Sequence, residues 1–169
     1  MGTNAELYEQ DFFEWTQTTA ALIRAGKWYE VDPVSVAEEL ESMGRSEHRE
    51  LEHRLDGLLM HLLKWRYQPS GRQIGPSWRS TIREHRRQLA RLLRDNPSLR
   101  PRVATVLPES YTNARLDASD ETGLPLATFP EACPWTPEQI LDADFWPEET
   151  SSETSTPRVT RRYRRLEDQ

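Results

Sequence analysis

Histidine and arginine are the residues of this chain whose types and spacing could do chemistry. All four histidines fall in segments with helical periodicity: His48, His53, His61 and His85. Arg54 precedes His61 on one segment, and Arg79 precedes His85 on another. An imidazole can act as a general acid or base while a guanidinium holds a phosphate. His61, His85, Arg54 and Arg79 are therefore the candidate catalytic residues, although arginine is common enough here to produce such spacings by chance. We favour the interpretation that His61 and His85 are partly buried and satisfied by neighbouring hydrogen bonds.

Metal and thiol chemistry have weaker signals. Glu50-Leu51-Glu52-His53 matches Glu-x-x-His, the spacing of di-iron bundle sites, but such a site needs two copies of the motif and only one is present. We predict no metal site and no cofactor. Cys133 is the single cysteine, and a buried structural thiol is favoured over a nucleophile. Glu38 and Glu39 indicate a solvated first helical turn.

A strongly amphipathic helix is predicted over residues 76–95. One face carries Trp78, Ile82, His85, Leu89, Leu92 and Leu93. The other face, which we call the arginine face, is the predicted binding surface and carries Arg79, Arg83, Arg86, Arg87, Arg91 and Arg94. These arginines could follow the phosphates of a nucleic acid. They could instead pair with internal carboxylates, either Glu38, Glu39, Glu41 and their neighbours on the preceding helix or the acids of residues 109–121, and we favour this pairing. The acidic surface of a partner protein is an intermediate possibility.

Four main helices are needed to position these residues. The periodicity predicts helices over residues 6–26, 33–67, 76–95 and 97–123, with Pro108 expected to kink or split the last one. In the second, the polar stretch after Gly44 indicates a kink or an exposed turn. Residues 124–147 alternate proline with aromatic residues and predict an extended arm with one short helix at Thr136-Pro137. The expected fold is an all-α, four-helix-type bundle with a long second helix and this arm. Residues 1–147 should form a single domain, and residues 148–169 a disordered tail.

The charge of the chain is unevenly distributed. The 169 residues carry a net charge of -6, which alone argues against nucleic-acid binding. Residues 1–63 carry -8, residues 64–102 carry +9, residues 103–157 carry -10 and residues 158–169 carry +3. The terminal Arg161-Arg162-Tyr163-Arg164-Arg165 is a basic patch. No apolar stretch is long enough to span a membrane, and the acidic start of the chain is unlike a signal peptide, so we expect a cytoplasmic protein.

Several segments taken together resemble one bacterial family, called domain of unknown function 29. They are Tyr8-Glu9-Gln10-Asp11-Phe12, Ala37-Glu38-Glu39-Leu40-Glu41-Ser42-Met43-Gly44-Arg45-Ser46, His61-Leu62-Leu63-Lys64-Trp65, Gln68-Pro69, Ser77-Trp78-Arg79, Asn96-Pro97-Ser98-Leu99, Glu121-Thr122-Gly123-Leu124-Pro125 and Asp144-Phe145-Trp146-Pro147. The resemblance covers residues 8 to 147. It implies a small, intracellular, all-helical bacterial protein with no assigned activity, and it transfers no catalytic or binding residue.

These observations predict a non-enzymatic protein-interaction module. It would bind a protein partner, or a second copy of itself, through the arginine face or the arm. The alternative is a nucleic-acid-binding protein or an Arg/His-type helical ribonuclease that uses the arginine face of helix 76–95.

Overall fold

The computed structural model describes residues 2–73 and 77–148, and residues 149–169 of the predicted tail lie outside these ranges. All regular structure in the described residues is helical, which confirms the all-α class. The α-helices are α1 (Asn4–Gln10), α2 (Phe12–Arg24), α3 (Pro33–Tyr67), α4 (Ser77–Asp95), α5 (Arg100–Thr122) and α6 (Pro137–Leu141). Short 3-10 turns span Trp28–Glu30, Pro69–Gln73, Pro97–Leu99 and Leu126–Thr128.

The first predicted helix is in fact two helices that meet at Asp11. α1 begins with a capping box between Thr3 and Glu6 and ends at Gln10. Asp11 then adopts an extended conformation, and its carboxylate accepts a hydrogen bond from the Glu14 N–H at 3.0 Å. An aspartate that caps a new helix in this way interrupts the previous one, so the prediction of one continuous helix over residues 6–26 was wrong.

α3 is one uninterrupted helix of 35 residues, about 52 Å long at the standard rise per residue. Asp32 caps it by accepting hydrogen bonds from the N–H groups of Val34 and Ser35, and Pro33 occupies the first turn. Of the two predictions for the stretch after Gly44, the exposed helical turn is confirmed. From Leu51 onwards the helix carries the largest share of the buried leucines.

The hydrophobic core lies between α3, α4, α5 and the arm. α3 and α4 are antiparallel, because Glu47 lies near Asn96 while Trp65 lies near Arg79. α3 and α5 are parallel, because Asn113 donates to Asp56 and Lys64 donates to Glu121. α3 is therefore the central helix, and the other two pack on different sides of it.

α5 runs through Pro108 without being split, although this proline removes one backbone hydrogen bond. The helix begins after the turn at Pro97–Leu99 and ends at Gly123, whose positive φ of 69° forms the left-handed cap that glycine favours. Of the two predictions for Pro108, the split near residue 107 was therefore wrong, and the kink stays a prediction.

The Pro/aromatic arm packs along the bundle as predicted. Phe129, Trp135 and Ile140 are buried in the core. The arm's backbone is held by side chains of α5, since the Tyr111 hydroxyl donates to the Pro130 carbonyl at 2.7 Å and Arg115 Nε donates to the Phe129 carbonyl at 3.0 Å. A capping box between Thr136 and Gln139 starts α6, which confirms the predicted short helix. α6 packs against both α4 and α5.

The first two helices form a separate small cluster at the start of α3. Tyr8, Phe12 and Trp15 pack against one another, and the Tyr8 hydroxyl donates to the Glu39 carboxylate at 2.6 Å. Asn4 links the parts, because its side-chain oxygen accepts hydrogen bonds from the Trp15 indole and the Asp32 N–H. None of these residues joins the main core, so the first third of α3 projects beyond α4 and α5.

Candidate functional site

The arginine face of α4 is divided between solvent and the interior. Arg79, Arg83 and Arg87 are exposed, as the helical wheel predicts, but Arg86 is only 4% exposed. Arg86 lies on the edge of α4 that α6 and the end of the arm cover, and its Nε donates to the Ile140 carbonyl at 2.9 Å. The six arginines therefore do not form one uniform solvent-facing surface.

Trp146, near the end of the arm, is surrounded by arginines of α4. Its ring centroid lies 5.0 Å from the Arg79 Cζ, 5.6 Å from the Arg86 Cζ and 6.0 Å from the Arg83 Cζ. The same ring lies 4.9 Å from that of Trp65. All three guanidiniums are within the range of a cation–π attraction. These arginines therefore bind the arm to α4.

The expected pairing with distant carboxylates was wrong. The remaining arginines pair within α4: Arg87 with Glu84, and both Arg91 and Arg94 with Asp95. α4 ends beside Glu47, so Glu38, Glu39 and Glu41 lie six to nine residues beyond its end along α3. Among the acids of residues 109–121, Glu121 pairs with Lys64 of α3 at 2.5 Å, and no described acid of that range forms an ion pair with the α4 arginines.

A cleft of about 620 Å³ opens between α4 and the residues that follow α6. The α4 wall presents Arg79, Arg83, Arg86 and Arg87, and the opposite wall presents Leu141 and Asp144. Both Nη atoms of Arg86 are buried, and neither has a hydrogen-bond partner in the described residues. Burial lowers the pKa of this guanidinium, and the charge of nearby Asp142 opposes that effect in part. This basic cleft is the candidate functional site.

The structure brings the two inner histidines together. The rings of His61 on α3 and His85 on α4 lie 5.9 Å apart, and the Gly57 carbonyl lies 2.8 Å from the His61 Nδ1. The Nδ1 of His85 is buried and has no partner among the described residues. Gly57 makes room for this ring, because a Cβ at that position would lie 2.6 Å from the His85 Cε1. The pair is thus packed at the α3–α4 contact.

The candidate catalytic residues are not assembled around one open position. Burial lowers the pKa of His61, and burial together with His61 and Arg54 lowers the pKa of His85 to about 4. A histidine with so low a pKa is a poor general acid near neutral pH. Arg54 donates to Glu50 at 2.6 Å, and Arg79 stacks on the tryptophans. This geometry favours a structural role for both histidines.

The described residues contain no group of three or more histidine, cysteine, aspartate or glutamate side chains placed to hold a metal ion. Glu50 of the single Glu-x-x-His motif accepts the Arg54 hydrogen bond instead. Cys133 is half-buried; its Sγ donates to the Trp135 carbonyl at 3.4 Å, and burial raises the pKa of its thiol. That environment suits packing better than nucleophilic attack.

Exposed apolar side chains at the N-terminal end form a second feature, which the sequence reasoning missed. We define them as the N-terminal apolar set: Phe12, Phe13, Trp28, Tyr29, Val34, Leu40 and Met43. Phe12, Leu40 and Met43 recur at helical spacing with other apolar residues of their helices, which predicts burial, but each is more than half exposed. Only Leu116 and Leu126 are comparable elsewhere in the described residues. The signal that could have found them is the length of α3, which exceeds that of α4 and α5.

These features define an all-helical bundle with a basic cleft at one end and exposed aromatic residues at the other. Residues 7–146 match the family described as Domain of unknown function DUF29, and the chain belongs to this family. No curated protein and no solved structure matches the chain. None of the described helices is both long and apolar enough to cross a bilayer.

Proposed function

We propose that this chain is a non-enzymatic interaction module that binds a partner protein through the N-terminal apolar set. The observation that carries the proposal is the concentration of seven exposed large apolar side chains between residues 12 and 43. Single exposed apolar residues are ordinary, whereas a concentration of them is typical of a protein-binding surface. Aromatic residues and methionine, which this set contains, are the types enriched at such surfaces.

The charge around this set specifies the partner. Residues 2–43 contain nine acidic and two basic residues, a net charge of -7. We infer that the partner presents an apolar patch with a basic rim, because opposite potentials steer and select protein complexes. A second copy of the chain is the weaker candidate, since it would bring two acidic surfaces together. The bacterial and cytoplasmic setting of this interaction follows from the family resemblance.

Nucleic-acid binding and Arg/His ribonuclease activity receive less support. Arg87, Arg91 and Arg94 are paired with acids of their own helix, and Arg86 is buried. Few charges of the predicted arginine face therefore remain to follow a phosphate backbone.

Site-specific photo-crosslinking tests the proposal. A photoreactive phenylalanine analogue is placed at Phe13 or Tyr29, which are 72% and 84% exposed, in the full chain. The matched control position is Leu116, which is exposed on α5 outside the set. We expect crosslinks from positions 13 and 29, and none from 116, to basic and apolar peptides of one partner. The Phe13→Glu/Tyr29→Glu chain should lose that partner while Leu116→Glu retains it.

Three outcomes would contradict the proposal: the same proteins crosslinked from all three positions, no crosslink from the apolar set, or a crosslink to a second copy of the chain. Light scattering checks the last of these independently, because the proposal requires a monomer over the concentrations used. Cleavage of RNA by the wild-type chain that is lost in His61→Ala and His85→Ala would favour the ribonuclease alternative.

A further inference from the structure

The basic cleft holds a buried positive charge that lacks an adequate counter-charge. Arg86 is 4% exposed, and of its guanidinium nitrogens only Nε has a hydrogen-bond partner in the described residues. A guanidinium stays protonated in proteins, so burial does not neutralise it. A buried guanidinium whose N–H groups lack hydrogen-bond partners costs more folding free energy than an exposed one, whose N–H groups bind water. Such a group in the wall of a cleft indicates that an anion completes it.

The neighbouring side chains supply further positive charge to the same cleft. Arg83 and Arg79 lie about one and two turns before Arg86 on the α4 wall, and neither forms an ion pair with a described carboxylate. Arginine forks suit the oxygens of a phosphate, which accept paired hydrogen bonds. Three guanidiniums around one opening match the charge of a phosphate dianion better than that of a single carboxylate.

The opposite wall sets the size and kind of ligand. Asp144 faces the arginines across the cleft, and residues 116–148 contain eight acidic residues and no lysine or arginine. An acidic wall repels the next phosphates of a nucleic-acid chain, so the cleft favours a single phosphate group. A volume of about 620 Å³ is that of a small-molecule site.

We propose that this cleft binds a small phosphate monoester, with its phosphate held by Arg79, Arg83 and Arg86. Asp144 accepts hydrogen bonds from hydroxyl or amino groups of the same ligand. The aromatic contact between Arg86 and Trp146 makes the end of the arm part of the site. This site is separate from the N-terminal apolar set and does not depend on the proposed function.

Titration calorimetry and thermal unfolding of the full chain test the proposal. The probes are inorganic phosphate and glycerol 3-phosphate, measured against chloride at matched ionic strength. We expect saturable one-to-one binding with a Kd below about 1 mM and a higher Tm in both phosphates. The Arg79→Gln/Arg83→Gln chain should bind at least about tenfold more weakly. The control, Arg91→Gln/Arg94→Gln, removes the same charge farther along α4 and should bind within about twofold of the wild type.

Arg86→Met separates binding from folding. This variant removes a buried charge whose N–H groups lack hydrogen-bond partners, so the Tm in chloride should stay unchanged or rise. The increase of Tm that phosphate causes in the wild type should disappear.

The proposal is overturned if the wild type has the same Tm in phosphate and chloride. It is also overturned if both double variants lose binding equally, or if Arg86→Met still binds. Binding of inorganic phosphate without glycerol 3-phosphate would indicate an adventitious ion only. Salt-dependent binding of an RNA oligonucleotide that requires all five exposed arginines of the α4 face would replace this proposal with the nucleic-acid one.

Discussion

The Arg86 guanidinium lies 5.6 Å from the ring of Trp146, although the two residues come from α4 and from the end of the arm. Trp146 also packs 4.9 Å from Trp65 of α3. One tryptophan near the end of the described residues thus joins two helices of the bundle. The arm is held at this end by aromatic and cation–π contacts, in addition to its buried apolar residues.

The contribution of Trp146 to stability is directly measurable. Trp146→Ala removes its packing against Trp65 and its contacts with three arginines, and we expect unfolding free energy to fall by about 2 kcal/mol. Trp146→Phe keeps an aromatic face and should lose about half as much. Urea unfolding followed by circular dichroism provides both values. Equal losses in the two variants would show that ring stacking is not the source.

A methyl group added at Gly57 should destabilise the protein, although alanine has a higher helix propensity than glycine. Alanine in a helix interior is normally favoured by about 1 kcal/mol, but here the Cβ would lie 2.6 Å from the His85 ring. We expect Gly57→Ala to lose about 1–2 kcal/mol in the wild type and to gain stability in a His85→Ala background. Gly44→Ala is the matched control, because nothing lies within 4 Å of that position and it should gain about 0.5–1 kcal/mol. A Gly57→Ala gain equal to that of Gly44→Ala would refute the contact.

The histidine pair should make the protein less stable in mild acid. The pKa of His85 is lowered to about 4 and that of His61 is also lowered, so the unfolded state takes up protons first as pH falls below about 6.5. Stability from this pair is therefore complete near neutral pH and declines between about pH 6.5 and pH 4. Burial raises the pKa of Asp56, which acts in the opposite direction.

Urea unfolding at about pH 7.5 and about pH 5 measures this dependence. A His61→Gln/His85→Gln chain should lose less stability between the two pH values than the wild type does. An unchanged difference would assign the acid sensitivity to other groups.

Replacing Glu121 should cost more unfolding free energy than replacing Lys64, although the two side chains form one ion pair. Lys64 is buried and its ammonium lies 4.8 Å from the centre of the Trp78 ring, whereas half of the Glu121 side chain is exposed. Glu121→Gln leaves a buried charge without its partner and should cost about 1–2 kcal/mol, after allowance for solvent screening at Glu121. Lys64→Met removes that buried charge and should cost less than about 1 kcal/mol. Chemical denaturation of both variants gives the order, and the reverse order would contradict this account.

Helix positions were largely predictable because their signals are local. Asp32-Pro33 starts α3, Gly123 ends α5 and Thr136-Pro137 starts α6, since each cap depends on residues within one turn. The break at Asp11 was missed because aspartate is compatible with an exposed helical position as well as with a cap. Leu40 and Met43 were misplaced because periodicity identifies an apolar stripe but does not show whether another helix covers it.

The candidate site was only half predictable. The arginine row of α4 follows from its helical spacing, but the burial of Arg86 depends on where α6 docks, more than fifty residues later. Carboxylate partners were expected from the charge of flanking segments. In the structure, the offset between α3 and α4 placed Glu38, Glu39 and Glu41 out of reach and left tryptophans beside the arginines.

The sequence by itself determined the all-α class, the long α3, the arm and the arginine row, because periodicity, caps and composition act within a few residues. Tertiary structure alone decided that His61 faces His85, that Trp146 lies among arginines, and that Leu40 and Met43 of α3 stay exposed. The physical reason is that helix register and docking depend on packing between distant segments. Those contacts determine which charges are buried and which apolar side chains remain exposed.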